Sequence, residues 1–230
     1  MKGKQLGPLA LILVATLIAT ADARAQSNDP GASLLSTRIP IIAIRNGIVL
    51  DVLVQLSDQS TGLSFSFEDV LRAKFGDPPS PLVRFDLNLG NTAVSDVLDE
   101  LCARDRRFAW QRDGLTVNIY PRATEGESSY VMNRHLPQLE LRSIKDAGEA
   151  AFAIVGQLPP PFEQIAIAQS GGDISYASPW TGSLRSLTVR QALNLAARQI
   201  APRGGWIFSG ANDFRTIGFY TGRLHYSSQE

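Results

Sequence analysis

The chain has 230 residues, 44% of them hydrophobic, and its 22 basic and 22 acidic side chains cancel. That balance excludes a general electrostatic grip on nucleic acid or anionic lipid, and a single cysteine excludes an internal disulfide. The length suits either one large domain or two small ones.

Residues 1–25 read as a signal peptide. Lys2 and Lys4 form a short basic start, an apolar run extends from Leu6 to Ala21 with one break at Pro8, and Ala23-Arg24-Ala25 supplies the small residues of a cleavage site. The run is shorter than the ~20 residues of a membrane-spanning helix; a retained anchor is the alternative. No cysteine lies near the cleavage point, which excludes lipid attachment there. The expected mature chain starts at Gln26, is slightly acidic once Lys2, Lys4, Arg24 and Asp22 are gone, contains no further membrane span, and lies in the periplasm or outside the cell.

Helical and strand patterns then alternate. Val49, Val52, Leu53, Leu56 and Ser57 fall at i, i+3, i+4, i+7 and i+8, one apolar face of an α-helix. Leu63, Phe65 and Phe67 alternate with Ser64 and Ser66 as in a half-buried strand. A short helical piece is expected over 68–75, closed by Gly76-Asp77-Pro78-Pro79. Val83, Phe85, Leu87 and Leu89 form another alternating strand. The helical stripe then recurs, displaced by 45 residues, at Val94, Val97, Leu98, Leu101 and Cys102. Phe108 and Trp110 follow, and Asp113-Gly114 signals a hairpin into Leu115, Val117 and Ile119. The repeat reaches beyond the stripe: Asp51-Val52-Leu53 matches Asp96-Val97-Leu98, and Leu63 and Phe65 match Phe108 and Trp110.

Residues 123–129 are polar and without period, and read as a linker. Beyond them a strand over 136–144 leads into a helix carrying Ala147, Ala150, Ala151, Ile154, Val155 and Leu158, halted by Pro159-Pro160-Pro161. A short strand is expected over 162–168. Residues 169–183 read as a long loop holding Tyr176, Pro179 and Trp180 among glycine and serine. Thr188-Val189-Arg190-Gln191 has the form of a capping box and opens a helix with the stripe Val189, Ala192, Leu193, Ala196 and Ala197. A final hairpin pairs Trp206 and Phe208 with Ile217 and Phe219.

The expected fold class is α+β, with two small modules of βαβ-type repeats whose helices pack between or against small sheets. The segments are a signal peptide (1–25), a flexible N-terminus (26–37), a first module (38–122), a linker (123–135), a second module (136–222) and a tail (223–230). Leu53, Leu56, Val97, Leu98, Leu101, Cys102 and Leu193 are expected in the cores. Cys102 sits where the aligned helices carry Ser57 and Ala197, so a small packing residue is the favoured reading over a redox or chain-linking thiol.

Chemistry finds no address. His135 and His225 are the only histidines and match no metal-ligand spacing. No G-x-S-x-G is present, and Ser170-Gly171-Gly172 reads as a turn. Asp99 and Glu100 are adjacent on a helix and point to different sides, unlike a glycosidase pair. No glycine-rich phosphate loop occurs. The expectation is no catalytic residue, no metal and no cofactor. Tyr176, Pro179 and Trp180 are the binding candidates, because aromatic loops on rigid scaffolds often carry recognition; the rival is Trp180 folded back as a lid over its own core.

Several of these residues, read in order, resemble a known module. They are Asn46-Gly47, Val52-Leu53 and Leu56, Ser60-Thr61-Gly62-Leu63-Ser64-Phe65, the strand over 83–89, Gly90-Asn91-Thr92 with Val97-Leu98 and Leu101, and the strand over 115–120. Residues 39–120 resemble the STN module, the short N-terminal domain of secretins and of signalling TonB-dependent receptors; 136–221 looks like a diverged second copy. The resemblance implies paired βαβ units in the cell envelope, working by protein–protein docking without catalytic residues. No barrel strands are read within the sequence, so only the binding-module reading is carried over.

The leading expectation is therefore an exported, non-catalytic adaptor that docks an envelope protein through a sheet edge or the aromatic loop. The partner is of the secretin, TonB-dependent or sigma-regulatory kind, and Ser64, Ser66 and Asn88 fit a solvated face that awaits it. The alternative is an exported enzyme or small-ligand binder with a site between the modules, lined by Tyr130, Trp180 and residues 169–183. Self-association into an array is a third.

Overall fold

The computed structural model describes residues 29–60, 62–69, 81–160, 165–171, 173–200, 204–211 and 214–221. The expected leader, most of the short helix expected over 68–75, and His225 lie outside them. Glu68 and Asp69, expected to open that helix, are instead the last residues of a strand.

In chain order the elements are α1 (Pro30–Leu35), β1 (Arg38–Gly47), α2 (Val49–Gln59), β2 (Ser64–Asp69), β3 (Phe85–Ala93), α3 (Val94–Arg104), β4 (Phe108–Asp113) and β5 (Thr116–Pro121). There follow β6 (Leu139–Asp146), α4 (Ala147–Val155), β7 (Ile165–Gly171), β8 (Ser175–Leu184), α5 (Val189–Ile200), β9 (Gly205–Ala211) and β10 (Phe214–Tyr220), with 3-10 turns at Arg122–Thr124 and Val131–Asn133 between the halves. The class is α+β. No helix among the described residues is long and apolar enough to cross a membrane.

Both halves have one topology. In the first, β1 pairs antiparallel with β3, β4 antiparallel with β5, and β5 parallel with β2. In the second, β6 pairs antiparallel with β8, β9 antiparallel with β10, and β10 parallel with β7. The two triplets then fuse: β2 pairs parallel with β9, giving one six-stranded sheet in the order β4-β5-β2-β9-β10-β7. Gly205 permits the approach, since a Cβ there would strike the Phe65 carbonyl and the Tyr220 ring. The Tyr220 hydroxyl donates to that same carbonyl, tying β10 to β2.

The helical stripes are what each half buries. Leu53, Leu56, Val97, Leu98, Leu101 and Cys102 lie in a core with Phe65, Phe67, Val117 and Ile119. Leu193 lies in a second core with Ala147, Ala151, Ile154, Trp206, Phe208, Ile217 and Phe219. Leu53, Leu98 and Leu193 are 1%, 0% and 0% exposed, and each such burial stabilises by about 1.5–3 kcal/mol. Neighbouring side chains alternate between sheet faces. Phe67 pairs with Ile207 while Glu68 pairs with Phe208, so the two cores stand on opposite faces of the shared sheet.

Each long helix is entered through a left-handed residue: Asn46 (φ 48°), Asn91 (φ 48°), Ser143 (φ 54°) and Ser186 (φ 55°). These lie three or four positions before the helix, the first three inside the strand that leads into it, with Asn46 and Ser143 at register shifts of that strand. Asparagine tolerates this region better than most residues. The expected capping box forms on α5, with Gln191 Oε1 accepting from Thr188 N at 2.9 Å and Thr188 Oγ1 from Gln191 N at 3.3 Å. Gly114 (φ 60°) makes the β4–β5 turn.

Candidate functional site

The expected aromatic loop is not a loop. Residues 175–184 form β8, which pairs antiparallel with β6, Trp180 standing opposite Ile144. Tyr176 is buried and meets Trp180 edge-on, with ring centroids 6.1 Å apart at 74°. Burial pushes the Tyr176 hydroxyl above its ordinary pKa, with Asp146 nearby adding to the rise. Trp180 is half-buried over the second core, and Pro179 alone of the three is exposed. Glycine, serine and proline made the segment loop-like in sequence, yet in a two-stranded sheet they still supply backbone pairing.

The face expected to be solvated is also covered. Ser64 and Ser66 are 1% and 0% exposed, as are Thr116 and Asn118 beside them at 0%; only Asn88 is exposed. What covers them is the second half. Along α5, Arg190, Asn194 and Arg198 recur at i, i+4 and i+8, a polar stripe beside the apolar one. Arg190 meets Glu68 through Nε–Oε1 at 2.5 Å and Nη2–Oε2 at 3.0 Å. Tyr130 donates to Glu68 Oε2 at 2.9 Å, Arg190 donates to Asn133 Oδ1 at 2.8 Å, and its guanidinium lies 4.9 Å from the centre of the Tyr120 ring. Burial raises the Glu68 carboxyl above its usual range against the opposing pull of Arg190, and the guanidinium stays charged. Asn194 donates to Asp113 Oδ2 at 2.9 Å and accepts from Trp206 Nε1 at 2.8 Å. Arg198 donates to the Asp113 carbonyl at 3.1 Å. Tyr130, expected to line a cleft between the modules with Trp180, is instead part of this clasp.

The open site lies at the end of the sheet. Among the described residues no strand pairs with the outer edge of β4. A groove of about 590 Å³ runs there, touching Asp99, Cys102 and Ala103 of α3, Ala109 and Trp110 of β4, and Arg122. Trp110 is half-buried, and its Nε1 donates to Asp99 Oδ1 at 2.8 Å, which fixes the indole as one wall. Arg122 closes one end by donating to the Arg106 carbonyl at 3.1 Å and the Phe108 carbonyl at 3.0 Å. Beyond it the β4 edge runs open past exposed Gln111. The Cys102 thiol sits at the floor, 7% exposed, with burial pushing its pKa up to about 11. A neutral thiol of this kind is a poor nucleophile and a poor metal ligand. Among the described residues no group of three or more His, Cys, Asp or Glu side chains is placed to hold a metal ion.

What this groove can do is hold an extended backbone. An edge strand offers a row of N–H and C=O groups, and an aromatic wall with small neighbours receives alternate side chains. Trp110 reads in the sequence only as a repeat position and Asp99 only as a rejected catalytic acid, and the α5 polar stripe is not among the expected site residues. The stripe's i, i+4, i+8 spacing was the available signal, and the alternation of Ser64, Ser66 and Glu68 was its complement. No protein-family model and no curated protein sequence matches the chain.

Proposed function

We propose that this chain is an exported, non-catalytic docking protein of the cell envelope, with the β4 edge and its flanking groove as the binding element. The observation that carries the reading is that edge: a strand without a neighbour among the described residues, beside a groove walled by a hydrogen-bonded tryptophan. The partner presents an extended segment that pairs with β4 and sets a side chain against Trp110. The duplicated topology, in which two long helices, a two-stranded sheet and a strand triplet recur in each half, supports kinship with the STN module. Under that kinship the partner class is a secretin, TonB-dependent or sigma-regulatory component of the envelope.

The test is a photo-crosslinking residue at Gln111, with a control at Phe152, which is 71% exposed on α4. The expected result is one discrete adduct in envelope preparations from Gln111 and none from Phe152. Equal, diffuse labelling from both positions would remove the β4 edge as the docking element.

A further inference from the structure

The inner joint of the sheet states which edges of this fold fit each other. Aligning the two hairpins on their last pairs, Asp113 with Thr116 and Ala211 with Phe214, makes β4 equivalent to β9, Trp110 to Phe208 and Ile119 to Ile217. Phe67 lies beside Ile119 and Ile167 beside Ile217, so β2 is equivalent to β7. The chain joins β2 to β9 in its middle. Its two ends carry β4, the counterpart of β9, and β7, the counterpart of β2. Direction agrees as well. Along the row β4-β5-β2-β9-β10-β7 there are two antiparallel steps, so β4 and β7 run the same way. A second copy moved along the row would bring its β4 beside β7 in parallel, as β9 stands beside β2.

We propose that copies of this chain associate head to tail, β7 of one pairing in parallel with β4 of the next. The proposal rests on the docking reading of the β4 edge: within the row a second copy occupies that edge, and the envelope partner meets the one β4 left open at its end. It also sets the register. Phe67, Glu68 and Asp69 pair with Ile207, Phe208 and Ser209 at the inner joint, so Ile167, Ala168 and Gln169 pair with Ala109, Trp110 and Gln111 at the outer one. Those three β4 residues lie just past the Phe108 carbonyl that Arg122 occupies.

Two further observations agree. On α3 the counterparts of Arg190, Asn194 and Arg198, 95 residues earlier, are Ser95, Asp99 and Ala103. Arg190 and Asn194 are buried under the neighbouring half, whereas Asp99 and Ala103 are exposed and line the groove. The groove is thus the inner docking surface without its occupant. The ion pair of the inner joint is also removed from both sides at once: Glu68 becomes Ala168, and Arg190 becomes Ser95. Outer pairing therefore strands neither member of that pair, the costly outcome when only one is lost, and Asp99, in the place of Asn194, keeps the Trp110 indole N–H as its donor. Strand β7, IAIAQSG, carries no charged residue and no proline, the devices that commonly protect an edge. The contact is heterologous, so each copy can both give and receive.

The test uses the mature chain with Cys102→Ser, carrying either Gln111→Cys or Gln169→Cys. The two positions stand on opposite edges of one molecule, five strand steps or roughly 24 Å apart, so a bis-maleimide shorter than that can join them only between molecules. The mixed variants are expected to give a crosslinked dimer and each variant alone none. Ala168→Glu is expected to weaken that dimer, because it supplies the acid of the inner joint without the arginine that pairs with it there, and Ala168→Glu with Ser95→Arg to restore it. A species monomeric by light scattering at all concentrations, with no mixed dimer, overturns the proposal, as does equal crosslinking of Gln111→Cys to itself. If the Gln111 photo-adduct with another envelope protein persists in that case, the docking reading stands; if it too is lost, both fall.

Discussion

Cys102 shows how much one position can settle. It occupies the fifth place of the α3 stripe, where the aligned helices carry Ser57 and Ala197, and it is buried. Burial removes the thiolate from water, and Asp99 and Asp105 add a smaller push in the same direction against Arg122. The folded pKa of about 11 lies above the ordinary value of 9. The unfolded chain therefore releases this proton first as pH rises. By linkage, stability from this group is complete below pH 9 and declines as pH climbs toward 11. Alkylation of the native chain should be negligible at pH 8 and accelerate only toward pH 11, while a denatured sample reacts readily at pH 8 to 9. Rapid reaction of the native thiol at pH 8 would mean that it is not on a buried face. The small-residue rule at this place was legible in the sequence, because three helices shared it. The roles of Tyr176 and Trp180 were not, because an aromatic among glycines looks the same in a loop and in an edge strand.

Between elements, the α5 helix carries the most information. Its apolar stripe, Val189, Ala192, Leu193, Ala196 and Ala197, was visible from the 3.6-residue period, as were those of α2, α3 and α4. Its polar stripe reads in isolation as a solvated face, and only the fold shows it pressed on Glu68 and Ser66. The pairing of Phe67 with Ile207 joins positions 140 residues apart, and no local pattern announces such a contact. The groove beside β4 was hidden for the same reason, since it exists only where the sheet ends. The clasp makes a sharp energetic prediction. Arg190→Met leaves a buried Glu68 with only Tyr130 for a partner and should cost about 3–5 kcal/mol in denaturant unfolding. Glu68→Met added to it removes the stranded acid and should recover a large part of that loss. If the two losses simply add, the carboxylate and guanidinium do not act as a pair.

At the scale of the molecule, the repeated halves are not independent beads. One sheet runs through both, a helix of the second covers the polar face of the first, and Tyr130 and Asn133 between the halves hold the same ion pair. Separating them would break the Glu68–Arg190 pair and the Ser66–Asn194 contact and expose the edges of β2 and β9. Each half would lose a backbone ladder and gain an unpaired edge, a change with no compensating burial. The two cores should therefore unfold together. Trp110 reports on the first half and Trp206, fully buried under α5, on the second. Variants that keep only one of these two indoles, each with Trp180→Phe, should give coincident urea transitions with one midpoint and one slope, the mark of a two-state unit. Arg190→Met should lower both midpoints alike, because the clasp belongs to neither half alone. Midpoints that separate, with the second half outlasting the first, would mean that the joint is a contact between finished domains. Coincident midpoints would make the β2–β9 junction part of the fold itself, and the β4 and β7 edges, unpaired among the described residues, places where the same junction can be made again.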